Sequence, residues 1–209
     1  MDDRTIFSLQ GLKSENKYED LGLNSLTVVA IAETGWPGGM GYVYELSDGS
    51  FFIVDGGYYN GASVSSAEWL TKTLQQMASD PQNIRIAAWY ITHPHEDHIG
   101  SMDMIFDEFT VNNLFMPNAE VDTDTFSATG DYTRMMEGAA EQGTQTTYVK
   151  GGNTFSFGDL YFEFLAPNST DYNDLNDWSL VTKVTYGSTS MILTGDAEAH
   201  SEEQILEKY

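Results

Sequence analysis

The sequence predicts an α/β fold with mixed strands, and three observations carry that expectation. Short apolar runs of strand length recur along the chain, among them residues 51–54, 84–91 and 191–193. Between some of these runs the apolar residues repeat at helical spacing instead, as in Ala67, Leu70, Leu74 and Met77. At 209 residues, with 41% hydrophobic and 13% aromatic content, the chain can bury one sizeable core, which argues for one domain and against disorder.

The elements follow in order. Residues 1–25 read as a leader or linker, because 8–25 are mostly polar with scattered glycine and charge; the domain is expected over 26–209. Such a start fits a piece cut from a longer protein, and the compartment stays open between cytoplasm and export with a signal outside this chain. Strands are expected at 26–32, 41–46 and 51–54, with Ser47-Asp48-Gly49 as the hairpin turn between the last two. An amphipathic helix over 64–79 ends before Pro81. Residues 84–91, nearly all apolar and including Trp89 and Tyr90, read as a strand buried on both faces. Ile99, Met102, Ile105, Phe106 and Phe109 then recur at helical spacing, which predicts a helix starting at Asp97. A strand at 111–116 and a helix near 131–142 come next. Strands dominate after that, at 146–149, 154–157, 160–165, 180–186 and 188–193, and a helix over 199–208 closes the chain. No repeat of solenoid length is present.

Charge narrows the partners. The chain carries 32 acidic and 9 basic residues, a formal net charge of -23. Its cations, Arg4, Lys13, Lys17, Lys72, Arg85, Arg134, Lys150, Lys183 and Lys208, are scattered without a cluster, so the basic track that a phosphate backbone needs is absent. A small or locally anionic substrate is easier to accept than nucleic acid, and plain solubility explains the acidity equally well. There is no cysteine, which removes any disulfide argument. No apolar stretch approaches bilayer length, so no membrane span is expected, and oligomeric state is not readable.

The chemistry concentrates in His93-Pro94-His95-Glu96-Asp97-His98, which holds three of the four histidines of the chain directly after a buried strand. Neutral imidazole and carboxylate are the natural ligands for zinc and similar divalent ions once cysteine is absent. Residues two apart on an extended segment share a face, so His93 and His95 can converge on one ion while Pro94 stiffens the backbone. A helix beginning at Asp97 would swing Asp97 and His98 sideways, giving a second, adjacent metal position. The plain alternative is a solvated loop with Asp97 capping that helix.

On these residues the chain resembles the metallo-β-lactamase-fold hydrolases, whose signature HxHxDH follows a buried strand and precedes a helix. Asp55-Gly56-Gly57 after 51–54 and Thr194-Gly195-Asp196 after 191–193 match two further signatures, so the resemblance spans most of the chain. Residues 176–181, followed by Tyr186-Gly187 and residues 193–198, are similar to the branch that includes the hydrolase-like domain of DNA-uptake competence proteins. The resemblance implies an αββα sandwich of two mixed sheets with helices on both outer faces and the metal site at one edge. It implies that His93 and His95 hold a first ion, that Asp97 and His98 hold a second, that Asp196 bridges the two, and that Asp55, with Gly56, supports the histidine loop.

Two departures from the family pattern stand out. No histidine lies between His98 and Asp196, and the His-His-Gly-Ser motif of the branch is not present before Tyr209. A domain lacking its C-terminal strand or strands is therefore expected, holding one ion or two. His200, four residues beyond Asp196 on a helix, is expected to face solvent rather than act as a ligand.

The implied reaction is hydrolysis by metal-activated water of a phosphoester or other ester, with zinc foremost and manganese or iron open. Asp97 is the expected catalytic residue, orienting water and accepting its proton, while Glu96 points to solvent. Two other readings compete: a binding or sensory module with incomplete metal ligation, and a metal-dependent nuclease aided by a separate basic domain. Trp36, Tyr58, Tyr59 and Trp178 lie near the motifs and could rim a pocket, although packing is the commoner use of such rings. The acidic stretch 171–177 lacks the ligand order and central glycine of a calcium loop and reads as solvated.

Overall fold

The computed structural model describes residues 6–8, 27–32, 40–57, 66–100, 102–119 and 129–209. Two sheets stack face to face. The first runs in spatial order β1 (Ile6–Ser8), β2 (Thr27–Ala32), β3 (Met40–Glu45), β4 (Phe51–Val54), β5 (Arg85–Tyr90), β7 (Asn113–Pro117) and β8 (Gln145–Val149), with the short β6 (Thr110–Val111) also paired to β5. Strands β1 to β4 pair antiparallel, whereas β4, β5, β7 and β8 pair parallel. Parallel pairing needs crossovers, and helices supply them: α1 (Ser66–Met77) joins β4 to β5, and α4 (Thr129–Gln142) joins β7 to β8. Between β5 and β6 lie α2 (Glu96–Ile99) and α3 (Met102–Glu108), two helices where one was expected.

The second sheet contains β9 (Thr154–Phe157), β10 (Leu160–Phe164), β11 (Thr182–Tyr186) and β12 (Thr189–Leu193), in the order β12-β11-β10-β9. Mixed pairing, expected for both sheets, holds for the first only: every pair in the second is antiparallel. For two of its three pairs the reason is local, since β9 to β10 and β11 to β12 are joined by two-residue turns that no parallel pair can use.

Alternation along the strands sorts the core into two layers. Phe51 and Ile53 of β4 face α1, α3 and α4 with Leu70, Leu74, Ile105, Phe106, Met135 and Ala139, while Phe52 and Val54 face the second sheet. Between the sheets the filling is aromatic: Phe52 lies 4.4 Å from Phe162, Phe115 4.9 Å from Phe155, and Tyr90 5.7 Å from Phe164, ring centre to ring centre. Burying one such ring contributes roughly 1.5–3 kcal/mol. A bulge where Phe51 and Phe52 meet Ile86 and Ala88 shifts the register, so Ile86 and Trp89 both reach the helix layer.

The helical cover expected over the outer face of the second sheet is not found among the described residues. Tyr161 (41% exposed) and Ile192 (59% exposed) lie there beside the Lys183 to Glu163 ion pair. The closing helix, α5 (Ala199–Lys208), instead binds the loop that precedes β11 and the turn between β8 and β9: Tyr172 donates to Gln204, and Lys208 Nζ donates to Asn168 Oδ1 and Gly151 O. Of the expected leader, residues 6–8 form β1 against β2; the remainder lies outside the described residues, as do Trp36, Tyr58 and Tyr59.

Candidate metal centre

Strands β4 and β5 are parallel neighbours, so their C-terminal ends lie at one edge, and both signature loops start there. Asp55 follows β4 and continues the pairing, its N–H donating to Tyr90 O at 2.9 Å. Thr92 and His93 follow β5. Asp55 adopts φ 54°, in the left-handed region that aspartate tolerates better than most residues. Trp89 Nε1 donates to its carbonyl oxygen at 3.2 Å. Gly56 completes the turn: its N–H donates to His98 O at 2.6 Å, and a Cβ there would sit 3.0 Å from Met102 Cγ and 3.1 Å from Trp89 Cζ2.

The Asp55 carboxylate organises what surrounds it. Oδ1 accepts the Thr92 N–H at 2.8 Å, while Oδ2 takes the Thr92 hydroxyl and the His98 Nδ1–H, each at 2.9 Å. With Nδ1 committed, His98 turns Nε2 the other way, 3.5 Å from Asp196 Oδ1 and 3.8 Å from Asp97 Oδ2. A carboxylate behind one ring nitrogen is the arrangement that orients a metal-ligating imidazole.

His93 is fully buried, and its ring lies 4.1 Å from that of His98. Its Nε2 meets His95 Nδ1 at 2.8 Å, and its Nδ1 has Thr92 Oγ1 at 3.2 Å and Ser179 Oγ at 3.3 Å. One donor atom each from His93, His98 and Asp196 lie within 4.8 Å of one another. Ligand bonds of about 2.0–2.2 Å place tetrahedral donors roughly 3.3–3.6 Å apart, so small side-chain rotations would close the trio on one cation. Two imidazoles and a carboxylate fit a divalent ion, with zinc, manganese and iron all compatible.

The charges divide in a definite way. Burial first, then the His98 and His95 imidazoles, pushes the His93 pKa down to about 2, so His93 is neutral at physiological pH. Burial also pulls on His98, but the Asp55, Asp196 and Asp97 carboxylates outweigh it and raise its pKa to about 10. The hydrogen bond with His98, opposed by partial burial, holds Asp196 below the usual carboxylate range.

Of the residues expected at the site, His93, His95, Asp97, His98 and Asp196 come together, with Asp55 and Gly56 behind them. Asp97 is 38% and Asp196 41% exposed at the side chain, which leaves the carboxylates on the open side of the cluster. Glu96 is half-buried rather than fully turned to solvent. His200 lies apart, exposed, with Nε2 at 3.2 Å from Gln204 Nε2 and its ring against Tyr172. Trp178 is buried against Tyr172, the packing use of that ring. In the acidic stretch, Asp177 is buried and its Oδ1 accepts the N–H groups of Glu198 (3.2 Å) and Ser201 (3.1 Å), fixing the start of α5 just beyond Asp196.

Sequence reading does not single out Thr92 or Ser179. Thr92 falls between the strand at 84–91 and the histidine cluster, and Ser179 lies within 176–181, yet a hydroxyl carries no ligand signature of its own.

Comparison with known proteins bears on the family and the fold. The model of the metallo-beta-lactamase superfamily matches residues 34–208. ComE operon protein 3 of Bacillus subtilis (strain 168) is 30% identical over 122 residues, 58% of this chain and 15% of that protein, so the chain spans a small part of the curated relative. Among solved structures, the metallo-beta-lactamase fold protein YhfI from Bacillus subtilis superposes with TM-score 0.54 at 15% identity, covering 82% of this chain and 62% of that one. A variant of the flavo di-iron protein from Thermotoga maritima gives TM-score 0.51 at 15% identity, covering 99% and 48% respectively. These structural likenesses concern the fold alone.

Proposed function

The chain belongs to the metallo-β-lactamase superfamily, and from that membership we propose that it is a divalent-cation-dependent hydrolase acting on a phosphoester or other ester of a small or locally anionic substrate. The observation that carries the proposal is the placement of His98 Nε2, backed by Asp55 through Nδ1 and facing Asp196 and Asp97. His93, His95, His98 and Asp196 would hold the cation, with Asp97 beside them. Bound there, a divalent cation supplies Lewis-acid polarisation of the scissile centre and lowers the pKa of water toward neutrality.

The protein's own groups supply the rest. Asp97, exposed at 38% and within 3.8 Å of His98, can orient a water and accept its proton. Neutral His93 offers a lone pair without a proton to lose. Asp55 keeps His98 from rotating, which holds the donors near one geometry before substrate arrives. The charge pattern supports a small substrate over nucleic acid: Lys72, Arg85, Arg134 and Lys183 are each paired to carboxylates, and Lys208 to Gly151 O and Asn168.

The test is metal analysis of protein purified without chelator, followed by phosphodiester, phosphomonoester, thioester and lactam substrates with zinc, manganese or iron. Hydrolysis that chelator abolishes and Asp196→Asn lowers at least about a hundredfold is expected. Absence of metal uptake, or turnover indifferent to chelator, would overturn the proposal.

A further inference from the structure

One buried hydroxyl joins the two halves of the cluster. Ser179 is fully buried, and its Oγ accepts the Asp196 N–H at 3.1 Å while lying 3.3 Å from His93 Nδ1. His93 hangs from the first sheet and Asp196 follows the last strand of the second, so this one atom touches a residue from each. The backbone around it is pinned: the Leu180 N–H donates to Thr92 O at 2.8 Å, and Leu180 O accepts the Tyr90 hydroxyl, which also pairs with Thr182 Oγ1 at 2.7 Å. Gly195 lets the Asp196 turn approach this closely. It has φ +52°, and a Cβ there would lie 2.8 Å from Thr92 Cβ and 2.9 Å from Ser179 Oγ.

We propose that Ser179 is a positioning residue: its Oγ accepts the Asp196 N–H and the His93 Nδ1–H together, which fixes the Asp196 turn and keeps His93 Nε2 unprotonated. The Thr92 hydroxyl donates its proton to Asp55 Oδ2, so it also presents a lone pair toward His93 Nδ1. Two acceptors at Nδ1 hold the proton there and exclude the tautomer that would block Nε2. This inference rests on the metal-dependent reading above and goes beyond it by assigning a role to a side chain that is not itself a ligand.

The experiment compares the intact wild-type chain with Ser179→Ala and the near-isosteric Ser179→Cys, with the surface variant Thr185→Ala as control. Zinc affinity is measured by chelator competition, and the His93 ring tautomer by long-range nitrogen-proton NMR. Both Ser179 variants are expected to bind zinc about 10–100-fold more weakly, as loss of a group that orients a ligand does elsewhere. His93 should shift toward the Nε2–H form, with the Asp196 amide resonance displaced. Wild-type affinity and an unchanged tautomer in Ser179→Cys would overturn the role of Ser179 while leaving the hydrolase reading intact. A wild-type chain that takes up no zinc, manganese or iron would overturn the metal-dependent reading itself, and the role of Ser179 with it.

Discussion

Replacing Asp55 with asparagine keeps the size and the tolerance for φ 54° but removes the charge on which three hydrogen bonds converge. The amide must choose an orientation. Placing its NH2 at the Oδ1 position would set it against the Thr92 N–H, a backbone donor that cannot rotate, so the oxygen stays there and the NH2 occupies the Oδ2 position. There it faces His98 Nδ1, which must then accept, leaving the proton on Nε2, the nitrogen that points at Asp196. Two effects follow. Removing one partner of a buried ion pair costs about 3–5 kcal/mol, which at an m-value of about 3 kcal/mol/M lowers the urea midpoint by about 1 to 1.7 M. Metal affinity should also fall by about 10–100-fold, because the carboxylate that accepts the Nδ1–H and turns Nε2 toward Asp196 is gone. The pH profile supplies an independent check on metal-free protein. The His98 pKa in the folded chain, about 10, lies above its ordinary value of 6.5. Its stabilisation is therefore complete below pH 6.5 and is lost as pH rises toward 10. The gap in stability between wild type and Asp55→Asn should narrow across that window. A loss under about 1 kcal/mol at pH 7, or a gap that stays constant to pH 10, would refute this account of the Asp55 to His98 pair.

Three further outcomes are expected. Cation binding near pH 7.5 should release about one proton, from His98, since His93 with a pKa near 2 has none to give; calorimetry in buffers of different ionisation enthalpy measures the count. Gly195→Ala should destabilise the fold by about 1–2 kcal/mol for the left-handed backbone alone, with more from the 2.8 Å approach to Thr92 Cβ, and should weaken metal binding, as thermal unfolding with and without zinc would report. His200→Ala should leave zinc affinity within about twofold of wild type, because His200 pairs with Gln204 and Tyr172 away from the cluster; a tenfold loss would make it a ligand.

Much of this architecture is legible in the sequence because period-2 and period-3.6 patterns are properties of short segments. The alternation of Phe51 and Ile53 against Phe52 and Val54 is one such pattern, and the spacing of Leu70 and Leu74 is another. The same spacing hides the break between α2 and α3, since Ile99, Met102, Ile105 and Phe106 stay on one face across it. Strand β6 is two residues long, too short for any periodicity to register. The candidate metal cluster is legible because three imidazoles and the Asp97 carboxylate fall within six residues, a density that marks candidate ligands. Thr92, Ser179 and the capping role of Asp177 are not, because each acts through a hydrogen bond to a chain segment whose approach only the fold decides. The uncovered outer face of the second sheet had a signal in Glu163, Lys183, Thr185 and Ser190, polar residues at alternate positions, but a family expectation of helices on both sides outweighs it.

The split origin of the cluster has a bearing on how the protein matures. His93 and His98 leave the ribosome about a hundred residues before Asp196, so the early half of the molecule carries the imidazoles with Asp55 and Asp97 but without the Asp196 carboxylate until β12 has docked. An ion captured at that moment would act as a clasp between the two sheets, and ligand a hundredfold above its dissociation constant adds about 2.7 kcal/mol to the stability of the folded state. Cellular supply of that ion would then govern how much of the newly made protein survives, apart from how fast any of it turns over substrate.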